Sequence, residues 1–348
     1  MNKDYHIIGL MSGTSLDGVD IVKCVFNKGT KTKFVLEKSE TFEYSNYWRK
    51  KLENLHLKGE NEINACNIEY GEFLGKLCNE FISKNNLKTD YISSHGHTIF
   101  HQPENGYTLQ IGCGNKIAEK TNITTINNFR ELDVSLDGNG APLVPIGDLH
   151  LFSEHKYCLN LGGFANISIK GKLIRAFDIC PVNIILNYLS SKIGLIYDKN
   201  GCIARRGKLN YNLLNRLNML DFYNKKNPKS LSREWVEKEM FPILNSIKSP
   251  VKDQLNTICE HIAIQISKNL KDESVLITGG GAHNTFLIER LHNYSNSRLI
   301  MPSNEIINFK EAIIFAYLGI LRIENINNCL SSVTGAKYDN CGGDIYIK

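Results

Sequence analysis

Asp178, in Ala176-Phe177-Asp178-Ile179-Cys180-Pro181-Val182-Asn183, follows an apolar run and precedes a proline. That order predicts a strand ending at Asp178 and a helix to Ile193 with Pro181 in its first turn. Reactive groups in α/β units are placed at strand ends. A carboxylate there can take a proton from water or a hydroxyl, or hold magnesium through water; a helix cap without chemistry is the alternative. A second candidate is the turn Gly13-Thr14-Ser15-Leu16-Asp17-Gly18-Val19-Asp20, between the apolar runs 7–11 and 20–26. Gly13 and Gly18 are expected to allow positive φ and close approach of a ligand. Backbone N–H groups with the hydroxyls of Ser12, Thr14 and Ser15 suit an anion. Asp17 and Asp20 would repel a bare phosphate but suit one that arrives with a divalent cation. A third is Thr278-Gly279-Gly280-Gly281-Ala282-His283-Asn284, a triple glycine after a strand and before a helix. Such a turn admits a nucleotide closely, and the helix start offers N–H groups. Neither GxGxxG nor GxxxxGK[ST] occurs.

His95, His97 and His101 lie close in sequence and invite a metal reading. His95 and His97 fall on opposite faces of a continuing strand, however, and no helix carries an HExxH pair. A polar strand end touching a substrate and a purely structural role both remain open. The loop 128–145 holds Arg130, Asp133, Gly140 and Pro142, and its length marks it as functional or as a linker.

These residues need elements to hold them. The opening reads strand, glycine turn, strand, with a third strand over 33–44. Apolar positions over 62–85 recur at helical spacing. Strands are expected at 91–94, 107–111 and 124–127, with helices at 114–121 and 146–152. Tyr157-Cys158-Leu159-Asn160-Leu161-Gly162-Gly163-Phe164 then repeats the opening layout about 150 residues later, with a third strand at 173–177. Further on come a helix over 251–270, a strand at 274–278, another at 298–301 and a helix over 309–322. The repetition predicts two similar α/β domains, each presenting a glycine turn.

The chain of 348 residues allows two domains, and 42% apolar residues supply ordinary cores. A net charge of +5, without any basic run, does not imply nucleic acid. Ten cysteines contain no CxxC pair, which argues against a structural zinc site. The apolar run behind the N-terminus is about five residues long, too short for a secretory leader. The longest, 313–321, is about half a membrane span. A soluble, reduced, cytoplasmic protein is expected.

Met11-Ser12-Gly13-Thr14-Ser15-Leu16-Asp17-Gly18-Val19-Asp20 resembles the signature of the anhydro-N-acetylmuramic acid kinase family. The likeness continues in Gly140-Ala141-Pro142-Leu143-Val144-Pro145, Asn160 to Ile167, Phe177-Asp178, Thr278 to Asn284, Glu311-Ala312 and Ser332-Val333-Thr334-Gly335, in order along nearly the whole chain. The resemblance implies an α/β fold of two related ribonuclease-H-like (actin-like ATPase) domains facing a central cleft. We place the first at 1–128 with the tail from about 325 to 348, and the second at 129–324. It implies ATP and Mg²⁺, and a coupled reaction: water opens the anhydro bridge of 1,6-anhydro-N-acetylmuramate while the 6-oxygen is phosphorylated, as in cell-wall recycling. By the same resemblance Asp178 is the base. Gly13, Thr14, Ser15, Leu16, Asp17, Gly18, Val19 and Asp20 bind ATP phosphates, with Asp17 and Asp20 toward the metal. Gly162, Gly163, Gly279, Gly280, Gly281 and Asn284 serve the nucleotide. His97, Arg130, Asp133, Pro142 and Glu311 are candidates for the sugar, Arg130 for its lactyl carboxylate. A homodimer acting on a small amino sugar, without nucleic acid or membrane, is implied. The alternatives are a kinase of the same fold for another amino sugar and a nucleotide or sugar sensor without turnover. Against the commoner family pattern, Asp137 and Asn139 stand for glycine and glutamine, and Cys180 and Val182 for smaller residues beside the base, a difference that bears on sugar specificity.

Overall fold

The computed structural model describes residues 4–13, 16–28, 32–227 and 229–348. The chain forms two units, Met1–Phe152 with Phe309–Lys348, and Ser153–Asn308.

The first unit opens with β1 (Asp4–Met11), β2 (Gly18–Lys28) and β3 (Thr32–Glu43), an antiparallel meander. β4 (Tyr91–Ser94) pairs parallel with β1. A separate hairpin, β5 (His97–Gln102) and β6 (Tyr107–Ile111), follows, and β7 (Thr124–Asn127) lies parallel to β4. β1 reads as a continuous apolar run because Ile7, Ile8 and Leu10 are all buried, as in a strand covered on both faces. Helix α1 (Glu60–Asn85) buries Ile63, Cys66, Tyr70, Leu74, Leu77 and Phe81, one helical face. It ends at Asn86, whose φ of +50° makes the left-handed cap. A short helix, α2 (Val144–Leu151), follows the predicted loop.

The second unit repeats the plan. β8 (Tyr157–Leu161), β9 (Phe164–Ile169) and β10 (Arg175–Pro181) form an antiparallel meander; β11 (Ser274–Thr278) pairs parallel with β8, and β12 (Arg298–Ile300) parallel with β11. Helices α3 (Asn183–Ser191), α4 (Val251–Ser267) and α5 (Thr285–Tyr294) supply apolar faces to its core. Helix α6 (Asn304–Ile323) begins in the second unit and continues in the first, where β13 (Asp344–Tyr346) adds antiparallel to β7. Five strands of each sheet therefore run in the same order: the first as β7-β4-β1-β2-β3, with β13 added beside β7, and the second as β12-β11-β8-β9-β10.

The division falls after Phe152, not after Asn128, and the chain rejoins the first unit at Phe309, not near 325. Backbone hydrogen bonds and helix packing explain the difference. The segment after Asn128 is tied to the C-terminal tail: Asn139 N–H donates to the Thr334 carbonyl (2.8 Å) and Lys337 N–H to that of Leu136 (3.0 Å). α2 rests on α6, since a Cβ at Gly147 would lie 2.6 Å from Ile314 and the buried Lys310 ammonium meets Asp148 at 3.0 Å. β1 also touches α6, because a Cβ at Gly9 would come within 2.2 Å of the Ala312 carbonyl oxygen.

Most of the other elements match expectation to within a few residues. β10 does not. It runs on to Pro181, paired with Phe164, because a bulge after Asp178 lets the strand continue. β10 is an edge strand, where proline forfeits no ladder bond. The expected loop 128–145 contains the short helix Glu131–Ser135, and α6 starts at Asn304 instead of 309. All ten cysteines are free. Among the described residues no helix is long and apolar enough to cross a membrane.

Candidate active site

In the first unit the glycine turn joins β1 to β2, with Met11 opposite Asp20. Thr14 and Ser15 lie outside the described residues. Among the described residues of the turn the positive φ belongs to Leu16, at +59°, whose N–H donates to the Gly13 carbonyl at 3.3 Å. Gly18 has a different reason to be glycine: a Cβ there would meet the Phe42 carbonyl oxygen at 2.3 Å. Val19 points into the core, so only its backbone can face a ligand. The Ser12 hydroxyl donates to the Gly96 carbonyl (2.9 Å) and accepts from the Tyr70 hydroxyl (3.0 Å), which pins the start of the turn to α1.

Asp17 is exposed and Asp20 half-buried, with the Thr41 hydroxyl donating to Asp20 at 2.6 Å. Burial pushes the Asp20 carboxyl up to about 6, against the Thr41 hydrogen bond and with Glu311 and Asp17 adding repulsion. Glu311 is raised in the same way by burial, while Lys310 and Arg130 pull it down and Asp148 pushes it up. Among the described residues no three His, Cys, Asp or Glu side chains gather into a metal-ligating group. Asp17 and Asp20 are close enough for their charges to repel, which fits an ion that keeps its waters and leans on phosphate oxygens, as magnesium does. A raised folded pKa means that ionising Asp20 opposes folding. Its cost is absent below the unfolded value near 4 and grows as pH rises through about 6. Asp20→Asn keeps the oxygen that accepts from Thr41. It is expected to raise the melting temperature at pH 7.5 and to match wild type below about pH 4, as read by thermal scans across pH without nucleotide.

The loop after β7 carries Arg130. Its Nε and Nη2 lie 3.1 and 2.8 Å from His95 Nε2, and its Nη1 donates to the Gly140 carbonyl at 2.6 Å. Burial lowers the guanidinium to about 10, while Glu311, Cys329 and Asp133 act to keep it charged. Asp133 is fully buried. One oxygen accepts from Thr334 (2.9 Å) and Asn340 (2.8 Å), the other from Gly140 N–H (2.8 Å). It holds the loop in shape. Pro142 is exposed and follows Ala141 through a cis peptide bond. His97 is 3% exposed, its Nδ1 has no hydrogen-bond partner, and its ring stands edge-on to Tyr44 and Tyr70. Burial lowers it to about 4, so it is neutral at working pH. Gly96, at φ +75°, breaks the strand between His95 and His97, and His101 is exposed on β5. The three histidines do not form one ligand set.

In the second unit Asp178 sits half-buried at the β10 bulge. Its N–H donates to the Lys229 carbonyl (2.9 Å), and its Oδ2 accepts from Leu231 N–H (2.8 Å). Burial raises its carboxyl above the usual range, and the Leu231 N–H opposes that. The segment 229–231 is anchored by Lys229 Nζ, which donates to the Phe222 carbonyl at 3.0 Å and lies 4.5 Å above the Phe222 ring. Cys180 and Val182 are fully buried in the core, so their bulk is spent on packing and not on a ligand wall.

The two glycine turns of this unit touch. A Cβ at Gly279, where φ is +82°, would lie 2.5 Å from Asn160 Oδ1, and one at Gly281 would lie 2.8 Å from Leu161 Cβ. Gly163 and Gly280 have open space above them: nothing lies within 4 Å of a Cβ at Gly163, and only Asn183 Nδ2 at 3.6 Å approaches one at Gly280. The Gly162 and Gly163 carbonyls accept from the first N–H groups of α3. The triple glycine does not run straight into α5. A 3₁₀ turn, Gly280–His283, intervenes, and Asn284 caps α5 by accepting from Leu287 N–H at 3.0 Å.

Sequence reasoning missed the contributions of His95, Tyr70, Lys229 and Leu231. Tyr70 carries no signal that its hydroxyl would meet Ser12, 58 residues away, and a backbone donor such as Leu231 N–H carries none either.

The family model for anhydro-N-acetylmuramic acid kinase matches residues 5–348. Among curated proteins, the anhydro-N-acetylmuramic acid kinase of Sulfurovum sp. (strain NBC37-1) is 32% identical over the whole of both chains. That of Mannheimia succiniciproducens is 34% identical, again over all of both. Among solved structures, the activator of the 2-hydroxyisocaproyl-CoA dehydratase from Clostridium difficile with bound ADPNP aligns with 89% of this chain and 92% of its own, at 15% identity and a TM-score of 0.42. A likeness of that size fixes neither fold nor function.

Proposed function

Because this chain belongs to the anhydro-N-acetylmuramic acid kinase family, we propose that Asp178 is the general base of its reaction. The protein is an ATP-dependent sugar kinase that phosphorylates 1,6-anhydro-N-acetylmuramic acid in peptidoglycan recycling. In the step we propose, Asp178 takes a proton from water as the water oxygen bonds to the anomeric carbon. The bond from that carbon to the bridging 6-oxygen breaks. The freed oxygen attacks the γ-phosphorus, whose bond to the β,γ-bridging oxygen breaks to release ADP. The supporting observation is the carboxylate itself: half-buried, raised by burial, and aimed by one backbone N–H. A base needs a raised but reachable pKa and a fixed orientation.

The remaining roles are proposals of the same kind. Gly13 to Asp20 hold the ATP phosphates, and Gly162, Gly163 and Gly279 to Gly281 admit the nucleotide, with Gly163 and Gly280 the two positions open above their backbones. Asn284 acts as the cap that shapes this turn. Asp17 and Asp20 would hold Mg²⁺, which when bound neutralises charge on the transferring phosphates. Arg130 takes the lactyl carboxylate through paired hydrogen bonds, with His97, Pro142 and Glu311 near the sugar and Asp133 acting through its loop. Each unit is proposed to be a ribonuclease-H-like domain of the actin-like ATPase group, a reading supported by the common strand order of the two sheets. A cytoplasmic homodimer is proposed on family resemblance, and ten free cysteines suit a reducing compartment.

The test is an end-point assay in ¹⁸O-labelled water with ATP, Mg²⁺ and 1,6-anhydro-N-acetylmuramate. Mass spectrometry should find one ¹⁸O in the muramate 6-phosphate, at the anomeric hydroxyl, and none in the phosphoryl group. Label in the phosphoryl group would overturn the order of bonds given above.

A further inference from the structure

Three of the five N–H groups of Arg130 are committed: Nε and one on Nη2 to His95 Nε2, and one on Nη1 to the Gly140 carbonyl. Guanidinium only donates, so His95 Nε2 must be the lone-pair nitrogen. The other nitrogen, Nδ1, lies 2.9 Å from the Gly96 carbonyl and carries the proton there. His95 is thus held as one neutral tautomer. It is 5% exposed, its ring lies edge-on to Phe315 at 4.6 Å, and its backbone N–H donates to the Leu10 carbonyl of β1 at 3.1 Å. The same Gly96 carbonyl accepts from Ser12. The side chain that meets Arg130 is therefore held by β1, by the Gly96 carbonyl and by Phe315 of α6. What remains of Arg130 is one N–H on each terminal nitrogen, two donors for the two oxygens of a carboxylate.

We propose that His95 is a positioning residue for selection of the acidic sugar: its Nε2 lone pair fixes the Arg130 guanidinium so that the two uncommitted N–H groups meet the substrate carboxylate. This rests on the reading that Arg130 binds that carboxylate. Two conservative substitutions separate the positioning from mere packing. His95→Gln can place an amide oxygen where Nε2 stands and keep the acceptor for Arg130. His95→Asn can keep a donor to the Gly96 carbonyl but is too short to reach Arg130.

The experiment is calorimetric titration of the full-length protein, without ATP, with 1,6-anhydro-N-acetylmuramate and with its uncharged primary amide. The readout is the ratio of the two Kd values, with Arg130→Met alongside and melting temperatures recorded for each variant. His95→Asn is expected to lower the preference for the acid about tenfold or more, close to Arg130→Met, and His95→Gln to keep it within about threefold of wild type. A general packing defect would weaken acid and amide together and leave the ratio unmoved. An unchanged ratio in His95→Asn, or an equal loss in the two His95 variants, overturns the proposal. If Arg130→Met itself leaves the ratio unchanged, the assignment of the carboxylate to Arg130 fails, and this inference fails with it.

Discussion

Asp178→Asn is expected to reduce kcat by about two to four orders of magnitude, the range that a positioned general base supplies. The substitution is close to isosteric. Its amide oxygen can still accept the Leu231 N–H that Oδ2 accepts in the wild type, so the β10 bulge and the segment 229–231 should keep their places. Binding of sugar and nucleotide should change little, and the loss should fall on kcat. The pH profile gives a second readout. The base works when ionised, and burial raises the Asp178 carboxyl while Leu231 N–H lowers it. In wild type the rate should therefore rise with pH along an acid limb lying above the range of a free aspartate. In Asp178→Asn that limb should vanish from the residual rate. Stability should move the other way. A carboxyl with a raised folded pKa opposes folding once ionised, so the neutral variant should melt no lower than wild type at pH 7.5. Loss of activity with a lower melting temperature and weakened ligand binding would show a structural role and remove Asp178 as the base.

Much of this arrangement was legible because the chemistry and the elements share short-range signals. The β1–β2 hairpin, the β8–β9 hairpin and the strand before Gly279 all announce themselves by apolar runs that stop at glycines. The extent of β10 was not legible, because proline after an apolar run reads as a helix start. Only the pairing of Pro181 with Phe164 across a bulge shows why the strand continues. The unit boundary was misplaced for a related reason. The run 128–145 has loop composition, and nothing local reveals that Asp133 reaches residues 334 and 340, about 200 positions away. Gly18 shows the limit of reading glycine as positive φ. Among the described residues of that turn the left-handed one is Leu16, and Gly18 is glycine because the Phe42 carbonyl leaves no room. His95 lay in plain view among three histidines, but its role depends on which nitrogen faces Arg130, and only the structure shows that.

Asp133→Asn is expected to destabilise the first unit more than most conservative changes would, because every position around this carboxylate is a donor. Thr334 and Asn340 both donate to one oxygen and the Gly140 N–H to the other, in a site with no solvent exposure. An asparagine has a single acceptor oxygen. If that oxygen faces Thr334 and Asn340, its amide N–H₂ is driven against the Gly140 N–H, and that buried donor loses its partner. If it faces Gly140, the Thr334 hydroxyl must turn its proton to the more distant Leu330 carbonyl and the Asn340 amide must flip for either to accept from it. Unsatisfied buried groups of this kind cost about 1–3 kcal/mol each, so a loss of about 3 kcal/mol is expected. In a unit of this size that corresponds to a fall of roughly 6–12 °C in melting temperature. The consequence should reach Arg130, whose Nη1 is held by the same Gly140 whose N–H Asp133 holds. Asp133→Asn should therefore also weaken binding of the acidic sugar relative to its uncharged amide, below the unfolding temperature, although Asp133 itself is buried away from any ligand. A variant that melts like wild type would mean the three hydrogen bonds are worth little. One that melts lower with an unchanged acid-to-amide ratio would separate the loop's stability from the placement of Arg130, leaving that placement to His95 alone.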